Sequence, residues 1–155
     1  MSPVYPPDTV YFYAQTDAYS EFSNFAPFGI AMDGGWWRSV EHYFQAQKFH
    51  DAAYRERIRL SNKPKDAKAL GMTRAIPLRP DWEAVKDAIM LEAVTVKFET
   101  HAELAELLLS TGNRLIVENA PMDAYWGCGP DGNGLNKLGR MLMQVRARLR
   151  ERISQ

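Results

Sequence analysis

The stretch SVEHYFQAQKF, Ser39–Phe49, decides how this chain is read. Ser39 is a good N-cap, so a helix is predicted from there to about His50. At about 100° per residue, Gln45 falls about 40° from Glu41 and Lys48 about −20° from it, so the three share one face. Tyr43, Phe44 and Phe49 are bulky, and at least some of them must enter a core. A Glu/Gln/Lys stripe is most often a solvated helix face. The other reading is a functional face carrying a carboxylate, an amide and an amine. On this segment alone both stand.

Toward the N-terminus, residues 1–9 read as a loose, proline-rich lead-in. Val10–Tyr13 reads as a short strand. Glu21–Pro27 is aromatic without a clean period. Phe28–Met32 and Trp36–Val40 flank the turn signal Asp33-Gly34-Gly35, which predicts a β-hairpin. Toward the C-terminus helical patterns dominate. Asp51 is placed to cap a helix through Leu60, and Pro64 suits the first turn of a third helix ending near Gly71. Asp81 is a good N-cap for Trp82–Glu99, where Val85, Ile89 and Val96 recur at helical spacing. Thr100-His101-Ala102-Glu103 has the capping-box form and opens a helix that Gly112 closes. Leu115–Glu118 is a short strand. Asn136 is placed to cap a last helix whose stripe is Leu138, Met141, Leu142, Val145 and Leu149. The sum is a predominantly helical α+β domain over residues 10–155 with a small β-sheet. Strands and helices do not alternate, which counts against a doubly wound α/β fold.

The chain has 155 residues, enough for one domain, and its 46% hydrophobic and 25% charged content argues against disorder. The 19 basic and 19 acidic residues cancel, which gives no support for a nonspecific duplex binder or a polybasic membrane module. Cys128 is the single cysteine and cannot form an intramolecular disulfide. With no apolar signal-peptide core and no run of about 18 apolar residues, a cytoplasmic protein off the membrane is expected.

The histidines, His42, His50 and His101, form no metal-binding pattern, so no metal is expected. Gly127–Gly132 matches G-x-G-x-x-G, but Pro130 lies inside it and no βαβ unit surrounds it. A loop leading to the last helix fits better, either as a plain turn or as an anion site at the helix start. Asp123-Ala-Tyr-Trp-Gly127 sets a carboxylate beside two aromatics. Such faces hold planar bases by stacking, though a turn-capping Asp123 and a core Trp126 are equally consistent. Trp82 is ambiguous in the same way. Lys86 and Lys97 lie on one face with Met90, and snorkelling to water is their ordinary fate.

These stretches resemble the YbiA-like, or NADAR, family of N-glycosidases. The resemblance rests on Phe12-Tyr13, Glu21–Phe25, Asp33-Gly34, Trp37 and Glu41–Phe49. It continues through Asp81-Trp82, Val85-Lys86, Lys97-Phe98, Glu118, Asp123–Gly127 and Asn136-x-Leu-Gly-Arg140. It implies hydrolysis of a bond between a ribose C1′ and a nitrogen, without a cofactor. Family members are associated with early riboflavin-pathway ribosylamino- and ribitylamino-type pyrimidine phosphates, and related members remove ADP-ribose from guanine in nucleic acid. The residues implicated correspond to Glu41, Trp82, Asp123 and Trp126, with Lys48 as a further candidate for attack at an opened sugar. Asn24, Gln45 and Arg140 complete the expected substrate-binding set. One departure is Leu70-Gly71-Met72, where members often read Leu-Gly-Arg or Met-Gly-Arg, which puts a phosphate contact from that turn in question.

Breaking a C1′–N bond builds positive charge on the ribose, as in O-glycoside hydrolysis. A carboxylate stabilises that charge or deprotonates water, and flanking indoles grip the leaving ring. Glu41 is expected in the acid/base role and Asp123 on the ribose or leaving group, with the reverse order open. Lys48 and Arg140 are expected to meet phosphate, or Lys48 to form a Schiff base. A carboxylate beside Lys48 would raise its pKa and oppose that second role. The partner is then a small ribose phosphate, with ADP-ribosylated nucleic acid as one alternative and a non-catalytic NAD or ADP-ribose binding module as the other.

Overall fold

The computed structural model describes residues 5–154. In chain order the elements are β1 (Val10–Phe12), a 3-10 turn (Ser20–Phe22), β2 (Ile30–Met32), β3 (Gly35–Trp37), α1 (Val40–Ala46), α2 (Ala52–Leu60), α3 (Pro64–Gly71), α4 (Trp82–Thr100), α5 (Ala102–Ser110), β4 (Ile116–Glu118) and α6 (Lys137–Ile153). The α+β class holds, and the strands form two separate two-stranded sheets. None of the described helices is long and apolar enough to cross a membrane. Backbone contacts divide the chain into two compact units, Asn24–Thr100 and the remainder.

In the Asn24–Thr100 unit the predicted hairpin forms with shorter strands. Asp33 and Gly34 take φ of 53° and 74°, the left-handed pair that a two-residue hairpin turn needs, and Met32 pairs with Gly35. Ser39 Oγ accepts from His42 N at 3.2 Å and starts α1 as expected. The helix stops at Ala46, before the predicted His50, because the chain there is taken by distant partners. Arg79 N donates to Lys48 O at 2.8 Å, and Phe49 bridges Leu78. α1 is buried all round, against α2, α3, α4 and β3, as befits the centre of a helical layer. Asp51 caps α2 through Tyr54 N at 2.8 Å, and Pro64 opens α3, both as predicted.

α4 corrects two expectations. Asp81 gives its carboxylate to Arg79 at 2.7 and 3.1 Å, and its backbone carbonyl meets the first turn. The buried residues of α4 are Trp82, Met90, Ala93, Val94, Thr95, Lys97 and Phe98, while Val85, Ile89 and Val96 are only half-buried. Thr100 does not open a capping box. Its hydroxyl bonds back to Val96 O at 2.7 Å and ends α4, leaving His101 before α5.

In the other unit β1 and β4 pair in parallel, Val10 facing Ile116. All five predicted stripe residues of α6 are buried, and α6 packs on β4 and α5. Asn136 precedes α6 with φ of 50° but does not cap it by side chain. Its amide instead ties α6 to β4, donating to Ile116 O and accepting from Glu118 N, both at 3.0 Å.

Candidate functional site

In the Asn24–Thr100 unit, Glu41 and Gln45 leave only 6% and 5% of their surface exposed, which overturns the solvated-face reading. Burying an ionisable carboxylate is costly unless its hydrogen bonds are met. Here Gln45 Nε2 donates to Glu41 Oε1 at 2.7 Å across one helical turn. Gln45 Oε1 is buried without a hydrogen-bond partner. It faces Gly71 at the end of α3, where an added Cβ would come within 1.9 Å of it. The glycine is therefore required by close approach, at an ordinary backbone conformation.

Lys48 follows α1 in a tight turn, its N–H donating to Gln45 O at 3.3 Å. Its Nζ donates to Gly71 O at 3.3 Å. Burial lowers the Lys48 pKa below the usual lysine value; Glu41 pulls it back up, while Lys68 and Lys86 push it further down. The carboxylate raises this pKa as expected, but desolvation is the larger effect and the net shift is downward. Arg55 and Arg79 hold the turn in place. Arg55 Nη1 reaches Ala46 O, Gln47 Oε1 and Phe49 O at 3.2–3.3 Å, and Arg79 meets Lys48 through the backbone. The sequence reading missed both, since their acceptors are mostly backbone carbonyls that leave no motif.

Trp82 is buried, its ring 5.0 Å from that of Phe44 on α1. Asn24 is buried and accepts Glu41 N on its backbone O at 3.2 Å, which seats the start of α1. Its Nδ2 reaches only Met90 Sδ at 3.3 Å, and its Oδ1 has no hydrogen-bond partner. Lys97 does not snorkel. It is 1% exposed, beside the rings of Phe28 and Phe98. A shallow groove of about 500 Å³ lies between α2 and α3, lined by Arg57, Leu60, Ser61, Asp66, Ala69 and Leu70, and holds none of the candidate residues.

In the other unit, Asp123 Oδ1 accepts from Tyr125 N at 3.0 Å and Trp126 N at 2.9 Å, so the turn-capping role is real. Trp126 is half-buried, its ring 4.7 Å from Tyr125 and nearly perpendicular to it. The start of α6 is occupied by backbone: Asn136, Lys137 and Leu138 donate to Gly127, Tyr125 and Trp126 carbonyls. The glycine-rich loop is accordingly a structural turn, and the anion-site alternative is set aside. Arg140 is exposed on the first turn of α6. Among the described residues no group of three or more His, Cys, Asp or Glu side chains stands together.

Residues 11–150 match the NADAR domain family model. The chain is 49% identical over 149 residues to the N-glycosidase Npun_R5314 of Nostoc punctiforme, covering 94% of this chain and 96% of that one. It is 50% identical over 138 residues to the N-glycosidase YbiA of Escherichia coli K12, covering 89% and 86%. A riboflavin biosynthesis protein, PYRR of Zea mays, is 39% identical over 94% of this chain, which spans 26% of that protein. The NMR structure of Escherichia coli YbiA superposes with a TM-score of 0.87 at 48% identity, covering 96% of this chain and 89% of that one. By fold and by sequence over nearly its whole length, the chain belongs to the NADAR domain family.

Proposed function

We propose that the chain is an N-glycosidase that hydrolyses the ribose C1′–N bond of a phosphorylated metabolite, with early riboflavin-pathway ribosylamino-pyrimidine phosphates as its substrate class. The observation that carries this reading is the buried Glu41 carboxylate, anchored by Gln45, in the electrostatic reach of an amine whose pKa is lowered by burial. The names of the similar proteins, N-glycosidase and riboflavin biosynthesis protein, point the same way.

Glu41 acts on the cation that forms at C1′ and takes a proton from the attacking water. The water oxygen bonds to C1′, the C1′–N bond breaks, and its electrons stay on the leaving nitrogen, which is then protonated. Acid–base help of this kind is worth about 10²–10⁴-fold in rate. Trp82 stacks the leaving ring, and Asn24 meets a ribose hydroxyl through its unsatisfied Oδ1. Asp123, Trp126 and Arg140 are assigned to ribose, ring and phosphate on the family motif alone. Lys48 has two available roles. Protonated, it is a cation for phosphate. Neutral, it attacks C1′ of an opened sugar, the amine departs, and water releases the aldehyde from the lysine imine.

Incubation with a ribosylamino-pyrimidine phosphate, with an oligonucleotide bearing ADP-ribosylated guanine, and with NAD separates the alternatives. Release of ribose 5-phosphate from the first supports the proposal. Release of ADP-ribose from the oligonucleotide alone moves the substrate to nucleic acid. Binding of NAD with no turnover of either substrate makes the chain a binding module.

A further inference from the structure

Asp33-Gly34 belongs to the stretches that resemble the family, yet it has no part in the mechanism above. What it touches is an arginine of α2. That helix carries Arg55, Arg57 and Arg59. Arg57 is exposed over the Tyr54 ring, and Arg59 pairs with Glu56 on the surface. Arg55 turns inward, its side chain 25% exposed. One nitrogen, Nη1, donates to Ala46 O at 3.3 Å, to Gln47 Oε1 at 3.2 Å and to Phe49 O at 3.2 Å. These acceptors bracket Lys48 on both sides. The other terminal nitrogen, Nη2, stands 3.8 Å from Asp33 Oδ2, which also accepts from Tyr43 Oη at 3.4 Å. Residues 47–51 lie between α1 and α2, so no helical ladder holds their backbone.

We propose that Arg55, aimed by Asp33, is the positioning residue for Lys48: it fixes the turn that keeps Lys48 Nζ against Gly71 O. A lysine stem is long and flexible, so its amine stays in place only if the backbone beneath it is fixed. The Arg55 guanidinium does this with planar donors of fixed direction, and bonds from a charged donor are about twice as strong as neutral ones. Asp33 is half-exposed, and a surface pair at that distance adds little energy; its part is to orient the guanidinium. The positioning role rests on the reading that Lys48 takes part in the reaction. Either of its two roles requires Nζ at a set place, because small displacements of a reacting group are costly in rate.

The test follows the side-chain NMR titration of Lys48 in the intact chain without substrate, in the parent, Arg55→Lys, Arg55→Ala, Asp33→Asn and Arg57→Ala, with denaturant midpoints to establish folding. Burial holds the Lys48 titration low in the parent, and in both Arg55 variants it should move up toward about 10.4, the value of a solvated lysine. Arg57→Ala should leave it in place. Arg55→Lys keeps the cation and so separates position from charge. A shift in Arg55→Ala alone makes Arg55 a neighbouring charge and overturns the proposal, as does a parent-like titration in both. Asp33→Asn keeps the size of the side chain and suits the left-handed backbone at φ of 53°. It should move Lys48 upward by a smaller amount, and it decides the matter if neither Arg55 variant folds; an unmoved Lys48 there overturns the proposal. With a ribosylamino-pyrimidine phosphate, Arg55→Lys should lower kcat by about tenfold to a hundredfold, the cost of a displacement of about 1 Å. A parent-like rate in that variant overturns the proposal too. Failure of the glycosidase reading looks different: the parent releases no ribose 5-phosphate, while the Lys48 titrations still move as expected.

Discussion

Gln45 Nε2 and Glu41 Oε1 are 2.7 Å apart, one turn from each other on a helix with no exposed face. The pair explains how a carboxylate survives burial at the centre of a helical layer, and why the residue four positions on is an amide. A hydrogen bond to an ionised acceptor contributes about 1.5–3 kcal/mol. Gln45→Ala should therefore leave Glu41 misdirected and poorly solvated. The expected result is a kcat reduced more than tenfold with KM little changed, read from initial rates of ribose 5-phosphate release.

Gly71→Ala should be far more damaging than its size suggests. The new Cβ would meet Gln45 Oε1 at 1.9 Å and Cδ at 2.7 Å, so the amide that orients Glu41 must move. Overpacking of this kind costs about 1–3 kcal/mol. Denaturant midpoints should fall accordingly, and activity should fall with them. Combining Gly71→Ala with Gln45→Ala should recover part of the stability, since the two changes share one contact. Strict additivity of the two losses would show that the clash is relieved elsewhere.

Lys48 separates the two chemical routes. Its pKa is lowered by burial, so the neutral amine is available at lower pH than in a free lysine. On the imine route kcat should rise with pH through that lowered pKa, and borohydride added during turnover should leave a mass increase on the Lys48 peptide. On the direct route neither appears, and Lys48→Arg retains substantial activity.

His42 should make the fold acid-sensitive. It is fully buried between Ser39 Oγ at 2.7 Å and Ser61 O at 3.0 Å. Burial lowers its pKa below the ordinary 6.5, opposed by its bond to Ser61. The unfolded chain then binds this proton more readily than the folded one. The stability from neutral His42 is fully present above about pH 6.5 and is lost as pH falls toward the depressed folded value. Urea midpoints at pH 7.5 and 5.5 should diverge in the parent and converge in His42→Asn.

Local signals were legible where local chemistry decides. Ser39, Asp51 and Pro64 start their helices as read, and the left-handed pair Asp33-Gly34 forms the hairpin turn. Misreadings came where a competing partner wins. α1 ends early because Arg79 and Leu78 claim the backbone of Lys48 and Phe49. Asp81 prefers a guanidinium to a cap, and Asn136 prefers β4. Periodicity placed Glu41, Gln45 and Lys48 together but could not say whether that face is wet. Only the packing of α2, α3 and α4 around α1 buries it. Gly71 was legible only as part of the Leu70-Gly71-Met72 family turn, because its own value lies in what a side chain there would strike.

The most direct test of the account is the rate of ribose 5-phosphate release from a ribosylamino-pyrimidine phosphate by the parent and by Glu41→Gln, with folding checked by the same denaturant midpoint. The substitution keeps the shape and the contact with Gln45 while removing the charge. A rate lowered at least a hundredfold in a chain of unchanged fold is the result predicted, about the lower bound for a lost acid–base group. A folded Glu41→Gln chain that releases ribose 5-phosphate at close to the parent rate would contradict it.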